Sequence, residues 1–220
     1  MFALLSDAVI LFCCLLCSHA NASVPLSAED VVKKMEAAYA VVQDYRTEVD
    51  VKSRKARDKF IYTFKKPNYI RIDFISPHSG WILIYPDEKG KAVVRSSGSK
   101  HFLELHLSTQ NRLIKKPSGQ RVDQTDMGLL INNISHSVTD KSKGPVKIAE
   151  QDGTIEMNVL AEDHFSAGVV TMYRFLVDRG SWLPIGVDEF TPDGAPKRTV
   201  RFRNTVVNLG TEESSFRLNK

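Results

Sequence analysis

The most constraining feature of this sequence is a dense alternation of apolar and polar residues from Lys59 to Tyr85. Apolar side chains occupy every second position around Phe64 and again around Ile72, and a third apolar segment follows. Period-2 alternation is typical of half-buried β-strands, and prolines or glycines mark the turns between them. The stretch therefore predicts three consecutive strands joined by turns at 65–68 and 76–80.

The rest of the chain adds more strands and two amphipathic helices. The first helix is predicted to begin after Ser27, which can cap its free N–H groups, and to end near Asp44. A second helix is predicted at 126–137, with Met127 and Leu130 on its apolar side. Turn signals at regular spacing predict about six strands before the second helix and about five after it.

These elements predict an α+β fold that is mainly β. Antiparallel strands joined by short hairpins would form one long sheet, and a strongly twisted sheet of roughly ten strands tends to curl. We therefore expect a curved antiparallel sheet that forms an incomplete β-barrel and is covered by the two helices. The alternation alone leaves open whether the space under the helices is a filled core or a ligand cavity.

The first residues have the features of a targeting signal. An apolar run at 8–17 is followed by Ala20 and Ala22, which match the small-x-small pattern of a signal-peptide cleavage site. The run is shorter than the ~20 apolar residues that a membrane-spanning helix needs. We expect a signal peptide at 1–22, cleaved after Ala22, and a single secreted domain at 23–220.

All three cysteines lie inside this leader, at positions 13, 14 and 17. The chain from Ser23 onward therefore has no thiol for a disulfide or a nucleophile. A lipid anchor on Cys17 is the alternative interpretation of the leader. Leu16, however, is larger than the residue that normally precedes an anchored cysteine.

The sequence offers few groups for catalysis or for metal binding. From Ser23 onward it has no Gly-x-Ser-x-Gly, His-Glu-x-x-His, phosphate-binding glycine loop or Cys-x-x-Cys motif. In its His–carboxylate cluster, alternation places His101 opposite Glu104 and His106, so a third metal ligand is missing. Its basic residues are scattered and form no nucleic-acid motif. We expect no catalysis, cofactor, metal or nucleic-acid partner; a hydrolase using Glu104, His106 or Asp123 is a separate hypothesis.

Several short segments together resemble the LolA-like lipoprotein carriers and lipoprotein-sorting proteins of Gram-negative periplasms. The resemblance spans nearly the whole chain after the leader and rests on the N-terminal helix that leads into Tyr45, Lys65-Lys66-Pro67-Asn68, Arg71 to Phe74, Ser76-Pro77, Leu183-Pro184, Asn204, Asn208 and Phe216. It implies a helical lid over a hydrophobic cavity, a periplasmic location, and non-catalytic transport of lipoprotein acyl chains toward the outer membrane. It also implies membrane-associated donor and acceptor proteins as partners, and we expect a monomer.

This resemblance and the alternation together predict which side chains contact lipid. The lid would contribute Met35, Met127 and Leu130. The inward-facing wall residues are predicted to be Phe64, Ile72, Phe74, Trp81, Leu83, Met157 and Tyr173. Lys66 occupies the position of an arginine that helps to hold the lid shut in the carriers, and lysine cannot form the same forked hydrogen bonds.

One further function fits the same scaffold. A periplasmic sensor or interaction module could use this fold to bind a membrane protein instead of carrying lipid. Lipid uptake separates the two hypotheses, because only the carrier depends on it.

Overall fold

The computed structural model describes residues 26–97, 103–115 and 119–218 of the chain. The predicted signal peptide at 1–22, with its three cysteines, lies outside the described residues, and so does His101. In the described part of the chain, no helix is long and apolar enough to cross a membrane.

The described elements are two α-helices, eleven strands and three short 3₁₀ turns. They are α1 (Ala28–Ala40), β1 (Asp44–Ser53), β2 (Arg57–Lys65), β3 (Tyr69–Ser76), β4 (Ile82–Tyr85), β5 (Ala92–Arg95), β6 (Glu104–Leu107), a 3₁₀ turn (Val122–Gln124), α2 (Met127–Thr139), a 3₁₀ turn (Lys141–Lys143), β7 (Lys147–Gln151), β8 (Thr154–Glu162), β9 (Val170–Asp178), β10 (Pro184–Phe190), β11 (Pro196–Val207) and a 3₁₀ turn (Glu213–Phe216). The predicted order of six strands, a helix and five strands is confirmed.

All eleven strands belong to one antiparallel sheet in the order β6-β5-β4-β3-β2-β1-β11-β10-β9-β8-β7. The first and last strands of the chain, β1 and β11, pair at its centre, where Val49 lies opposite Phe202. The edges are β6 and β7, which do not pair with each other, so the curved sheet stays open. The predicted fold class, an incomplete barrel covered by helices, is therefore correct.

This topology also positions α2. The chain leaves the sheet at one edge strand, β6, and re-enters it at the other edge strand, β7. The connection between them has to cross the open side of the curved sheet, and α2 is its helical part. The position of α2 over the sheet thus follows from the strand order.

The helices begin where the sequence predicts, but α1 ends early. The Ser27 hydroxyl accepts a hydrogen bond from the Asp30 N–H at 3.0 Å, and Asp126 caps α2 in the same way. The predicted end of α1 near Asp44 was wrong, because the helix ends at Ala40. Asp44 instead pairs with Lys65 as the first residue of β1, a tertiary contact that overrides local helix propensity.

Gly128 lies on α2 against Tyr39 of α1. Glycine is a poor helix former, so its place inside a helix needs a packing reason. In the structure, a Cβ at this position would lie 2.5 Å from Cε1 of Tyr39 on α1. The glycine therefore permits the close packing of α2 against α1.

The buried side chains form two clusters that divide the molecule. One joins the inner faces of α1 and α2 to β8, β9 and β10, with Met35, Ile134 and Phe175 at its centre. The other joins β1 to β5, with Phe64 and Ile70 fully buried in it. The inward direction predicted for alternate residues of β2 and β3 is confirmed by this burial.

Candidate functional site

A cavity of about 130 Å³ lies between the two clusters, beneath α2. Strands from both halves of the sheet contribute to it, together with α2 and the segments before α2 and before β9. The residues that line it are Tyr45, Val49, Val51, Phe60, Tyr62, Ile72, Gln120, Gln124, Thr125, Asp126, Leu129, Leu130, Asn133, His164, Phe165, Tyr173, Val187, Glu189, Arg198, Val200 and Phe202. The lining is mostly apolar and aromatic, and its polar residues come from the segments before α2 and before β9, from α2 and from β10 and β11.

The predicted lipid-contacting residues fall into two groups. Ile72, Leu130 and Tyr173 line the cavity. The others lie in the packed core or at its edge: Met35, Phe64, Leu83, Met127 and Met157 are buried in the two clusters, and Phe74 and Trp81 pack against the second cluster. Contact of any of these side chains with a lipid stays a prediction.

Most of the cavity lining was missed from the sequence. Val49 and Val51 alternate inward on β1, and Val200 and Phe202 do so on β11. The alternation signal was present in both strands. The signal that was missing is the pairing of β1 with β11, which brings these side chains together across the whole length of the chain.

An ion pair forms part of the polar wall. The Arg198 guanidinium donates to the Glu189 carboxylate through Nε, at 3.1 Å to each oxygen, and through the second guanidinium nitrogen. Both side chains are mostly buried, with 18% and 12% of their surfaces exposed. Because the pair is bidentate, most of its charge is compensated locally.

His164 lies beside this pair and contacts α2. Its ring stacks on Tyr173 with centroids 4.4 Å apart, and its Nε2 lies 2.8 Å from the Ser137 hydroxyl of α2. Burial lowers the pKa of His164 to about 4; Arg198 and His136 act in the same direction and Asp163 opposes them. The imidazole is therefore neutral at physiological pH and can hydrogen-bond Ser137 without adding charge to the cavity.

We predict that His164 makes the fold less stable in mild acid. Below pH ~6.5 this histidine binds a proton in the unfolded state, whereas in the folded state it binds one only when the pH falls to about 4. Stability is thus lost as pH falls through this window, by about 2 kcal/mol between pH 7.5 and pH 5. Urea unfolding at the two pH values measures the loss.

The control for this prediction is His164→Asn, measured in parallel. Asp87 raises the pKa of the exposed His106, so protonation of His106 stabilises the fold as pH falls. This effect is the same in both proteins and cancels in the comparison. The variant should lose about 2 kcal/mol less than the wild type between the two pH values. Equal losses in the two proteins would contradict the assignment to His164.

Lys66 contacts the end of α1. Its Nζ donates to the carbonyl oxygens of Tyr39 at 3.3 Å and Ala40 at 3.1 Å, and it lies 4.9 Å from the Tyr39 ring centroid. A cation at this place satisfies free carbonyls and complements the negative end of the helix dipole. A role for Lys66 in lid control stays a prediction, but the structure gives it a physical contact with α1.

We predict that Lys66→Met lowers the free energy of unfolding by about 1 kcal/mol, because it removes the helix-end cation and the cation–π contact. Lys33→Met is the matched control, since Lys33 is exposed in the middle of α1. Lys66→Arg should keep wild-type stability, because a guanidinium can reach two carbonyls at once. Urea denaturation distinguishes these outcomes, and equal stability of the two methionine variants would contradict the assigned contact.

None of the proposed hydrolase residues lines the cavity. His106 hydrogen-bonds Asp87 through Nδ1 at 2.8 Å and approaches Glu104 through Nε2 at 3.3 Å, on an exposed part of the sheet. Asp123 pairs with Arg121 at 2.9 Å. Across the described ranges, no three histidine, cysteine or carboxylate side chains are grouped so that they could hold a metal ion.

Two of the residues that carry the family resemblance tie the chain end to the sheet, Asn208 at the start of β1 and Phe216 on β3. Asn208 has a positive φ of 55° and accepts a hydrogen bond from the Gln43 N–H at 2.7 Å. Phe216 is buried and its ring lies 5.6 Å from that of Tyr69. Beside Asn208, the buried carboxylate of Asp44 accepts hydrogen bonds from the N–H groups of residues 209–211. These contacts attach the end of the chain to the sheet, and none of these residues lines the cavity.

Comparison with known proteins supports the fold without assigning the chain to a family. No protein-family model matches the chain, and no curated protein sequence does either. Among solved structures, an uncharacterized conserved protein from Thermus thermophilus has a TM-score of 0.52 at 8% identity, over 88% of this chain and 94% of that one. LprF from Mycobacterium bovis has a TM-score of 0.51 at 7% identity, over 81% and 92%. MucB has a TM-score of 0.52 at 11% identity, over 87% of this chain and 62% of MucB.

At these identities the likeness concerns the fold alone. It is independent support for an open, curved sheet with helices on one side, as the chain's own topology shows. The resemblance to LolA-like carriers therefore remains a prediction about function.

Proposed function

We propose that the protein is a periplasmic carrier that binds the acyl chains of lipoproteins, or of another lipid, beneath α2 and moves them toward the outer membrane without catalysis. The observation that carries the proposal is the mostly apolar cavity between the open sheet and α2. Burying apolar surface there is favourable at about 0.8 kcal/mol per CH₂ group. Donor and acceptor proteins at the membranes would load and unload the cavity.

The size of the cavity shows what loading requires. Its volume is about 130 Å³, whereas ligand pockets usually measure ~300–1,000 Å³ and an apolar cavity of ~150 Å³ holds one benzene. The described conformation thus has room for only a short part of an acyl chain. Loading a whole chain requires the cover to move outward, and α2 is the element placed to do so.

The attachments of α2 suit such a movement. Apart from Ser137, its buried face is apolar and consists of Met127, Ile131, Ile134 and Val138, so it can exchange contact with the sheet for contact with a lipid. Its direct polar ties to the sheet side are few, notably the hydrogen bond from the Met127 N–H to the Tyr45 hydroxyl and the contact between Ser137 and His164. The described residues 108–115 and 119–121 before it, and residues 144–146 after it, belong to no helix or strand, so they can change conformation without breaking strands.

The experiment that tests the proposal is mass spectrometry of the chain from Ser23 onward, purified from a periplasmic extract. Native spectra should show bound mass, and denaturing spectra with lipid extraction should release phospholipid or acylated peptide. A protein that is empty and also fails to take up a fluorescent acyl probe would contradict the carrier function.

The second candidate is a periplasmic interaction module on the same scaffold. The observation that favours it is the edge strand β7, whose residues are exposed except for the half-exposed Ile148. A free strand edge can accept a strand from a partner protein. This candidate moves to first place if the protein binds no lipid.

A further inference from the structure

Gln120 lines the cavity, and its side-chain oxygen has no hydrogen-bond partner among the described residues. The side-chain oxygen of Gln120, Oε1, is fully buried and accepts no hydrogen bond from any of the residues described. The other end of the same amide is engaged, because Nε2 donates to the Gln124 carbonyl oxygen at 2.8 Å. That bond fixes the orientation of the amide and leaves Oε1 as a free acceptor. A buried acceptor without a donor is unfavourable, so a ligand that brings a donor to it, once the cover has moved outward for loading, gains affinity.

The charges around the cavity limit what that ligand can be. Arg198 is the one cation among the described lining residues, and it is already paired with Glu189. Asp126 also faces the cavity, where its carboxylate caps α2 by accepting from the Leu129 N–H at 3.0 Å. An anionic group placed here would meet two carboxylates and no unpaired positive charge, which makes its desolvation costly.

We infer that the cavity takes an acyl chain whose polar end is uncharged and donates a hydrogen bond to Gln120 Oε1, as an acyl amide or a hydroxyl does. The inference rests on the proposed function and names the class of lipid that the same site selects. It excludes free fatty-acid carboxylates and phosphate groups as the buried end of the ligand. The apolar chain would extend between the two halves of the sheet, past Val49 and Phe202.

Two ligands of equal chain length test this assignment. N-methyldecanamide has one N–H donor, and methyl decanoate has an oxygen in its place. Each competes with a pyrene-labelled alkane, which has no hydrogen-bonding group. Because the amide is more strongly hydrated than the ester, the informative quantity is the ratio of the two dissociation constants, compared between the wild type and a variant without the acceptor.

The variant is Gln120→Met, which keeps an unbranched side chain of similar length. We expect it to shift the ratio by about tenfold against the amide, the usual effect of one buried hydrogen bond. Gln124→Met is the matched control: Gln124 also lines the cavity, but its side-chain oxygen already accepts from the Arg121 N–H at 3.3 Å. This control should leave the ratio within about twofold of wild type. Sodium decanoate should compete at least about tenfold less well than the amide.

The outcomes separate the inference from the proposed function. If the probe and both ligands bind but Gln120→Met leaves the ratio unchanged, the carrier function stands and the selection by Gln120 is wrong. If decanoate competes as well as the amide, the inference that the polar end of the ligand is uncharged is wrong. If the wild type binds neither the probe nor either ligand, the carrier function fails, and the inference fails with it.

Discussion

Replacing Ile72 by glutamate is expected to weaken binding of an acyl probe by more than about 100-fold. Ile72 lies on β3, is 8% exposed and lines the cavity directly. A carboxylate in this apolar wall would have to be desolvated without a partner, or would draw water into the space that the acyl chain needs. Probe titration by fluorescence measures the loss, and circular dichroism verifies that the sheet is intact.

The matched control is Ile75→Glu on the same strand. Ile75 is 43% exposed, so its glutamate stays in water, and binding should remain within about twofold of wild type. Val51→Phe gives a second test that introduces no charge. Val51 also lines the cavity, and a larger apolar side chain there should fill the space while the fold persists. Normal uptake by folded Ile72→Glu and Val51→Phe proteins would show that lipid binds elsewhere.

The local parts of this fold could be predicted because local signals agree with it. Alternation around Phe64 and Ile72 gave both the strands and the direction of their side chains, since a period of two leaves only two choices of face. Ser27 and Asp126 marked the helix starts through the hydrogen bonds that cap them. At the end of α1 the local signal was misleading, because the apolar Val42 continues the helical spacing but packs with the sheet.

The candidate site could be predicted only in part, because it depends on contacts between distant parts of the chain. Ile72 and Tyr173 come from opposite halves of the sheet, and they share a cavity only because β1 pairs with β11. The polar wall is harder still to predict. Glu189 and Arg198 resemble ordinary surface charges in the sequence, and only the register between β10 and β11 shows that they face each other inside the curve.

Tyr45→Ala is expected to lower the free energy of unfolding by about 4 kcal/mol, as large aromatic-to-alanine changes in a core usually do. Tyr45 is 1% exposed, and its ring stacks against Tyr62 and Phe64 with centroids 5.9 and 5.2 Å away. Its hydroxyl accepts the Met127 N–H at 2.9 Å, at the first residue of α2. The side chain thus belongs to the core of the sheet and also fixes the helix that covers the cavity.

The variant Tyr45→Phe separates these two roles. It keeps the ring but leaves the buried Met127 N–H without an acceptor, which should cost about 2 kcal/mol. Tyr62→Phe is the matched control: the Tyr62 hydroxyl lies 3.0 Å from Thr125 Oγ1, and the Thr125 hydroxyl also donates to the Val122 carbonyl. Loss of the Tyr62 hydroxyl leaves no backbone N–H without an acceptor, so we expect Tyr62→Phe to lower the free energy of unfolding by less than about 1 kcal/mol. Urea unfolding measures both variants, and equal losses of unfolding free energy would mean that the hydrogen bond to Met127 does not hold α2.

The same two variants also test which part of the cover opens. If Tyr45→Phe takes up the acyl probe faster than wild type while Tyr62→Phe does not, the start of α2 is the part that opens, because only Tyr45→Phe releases it.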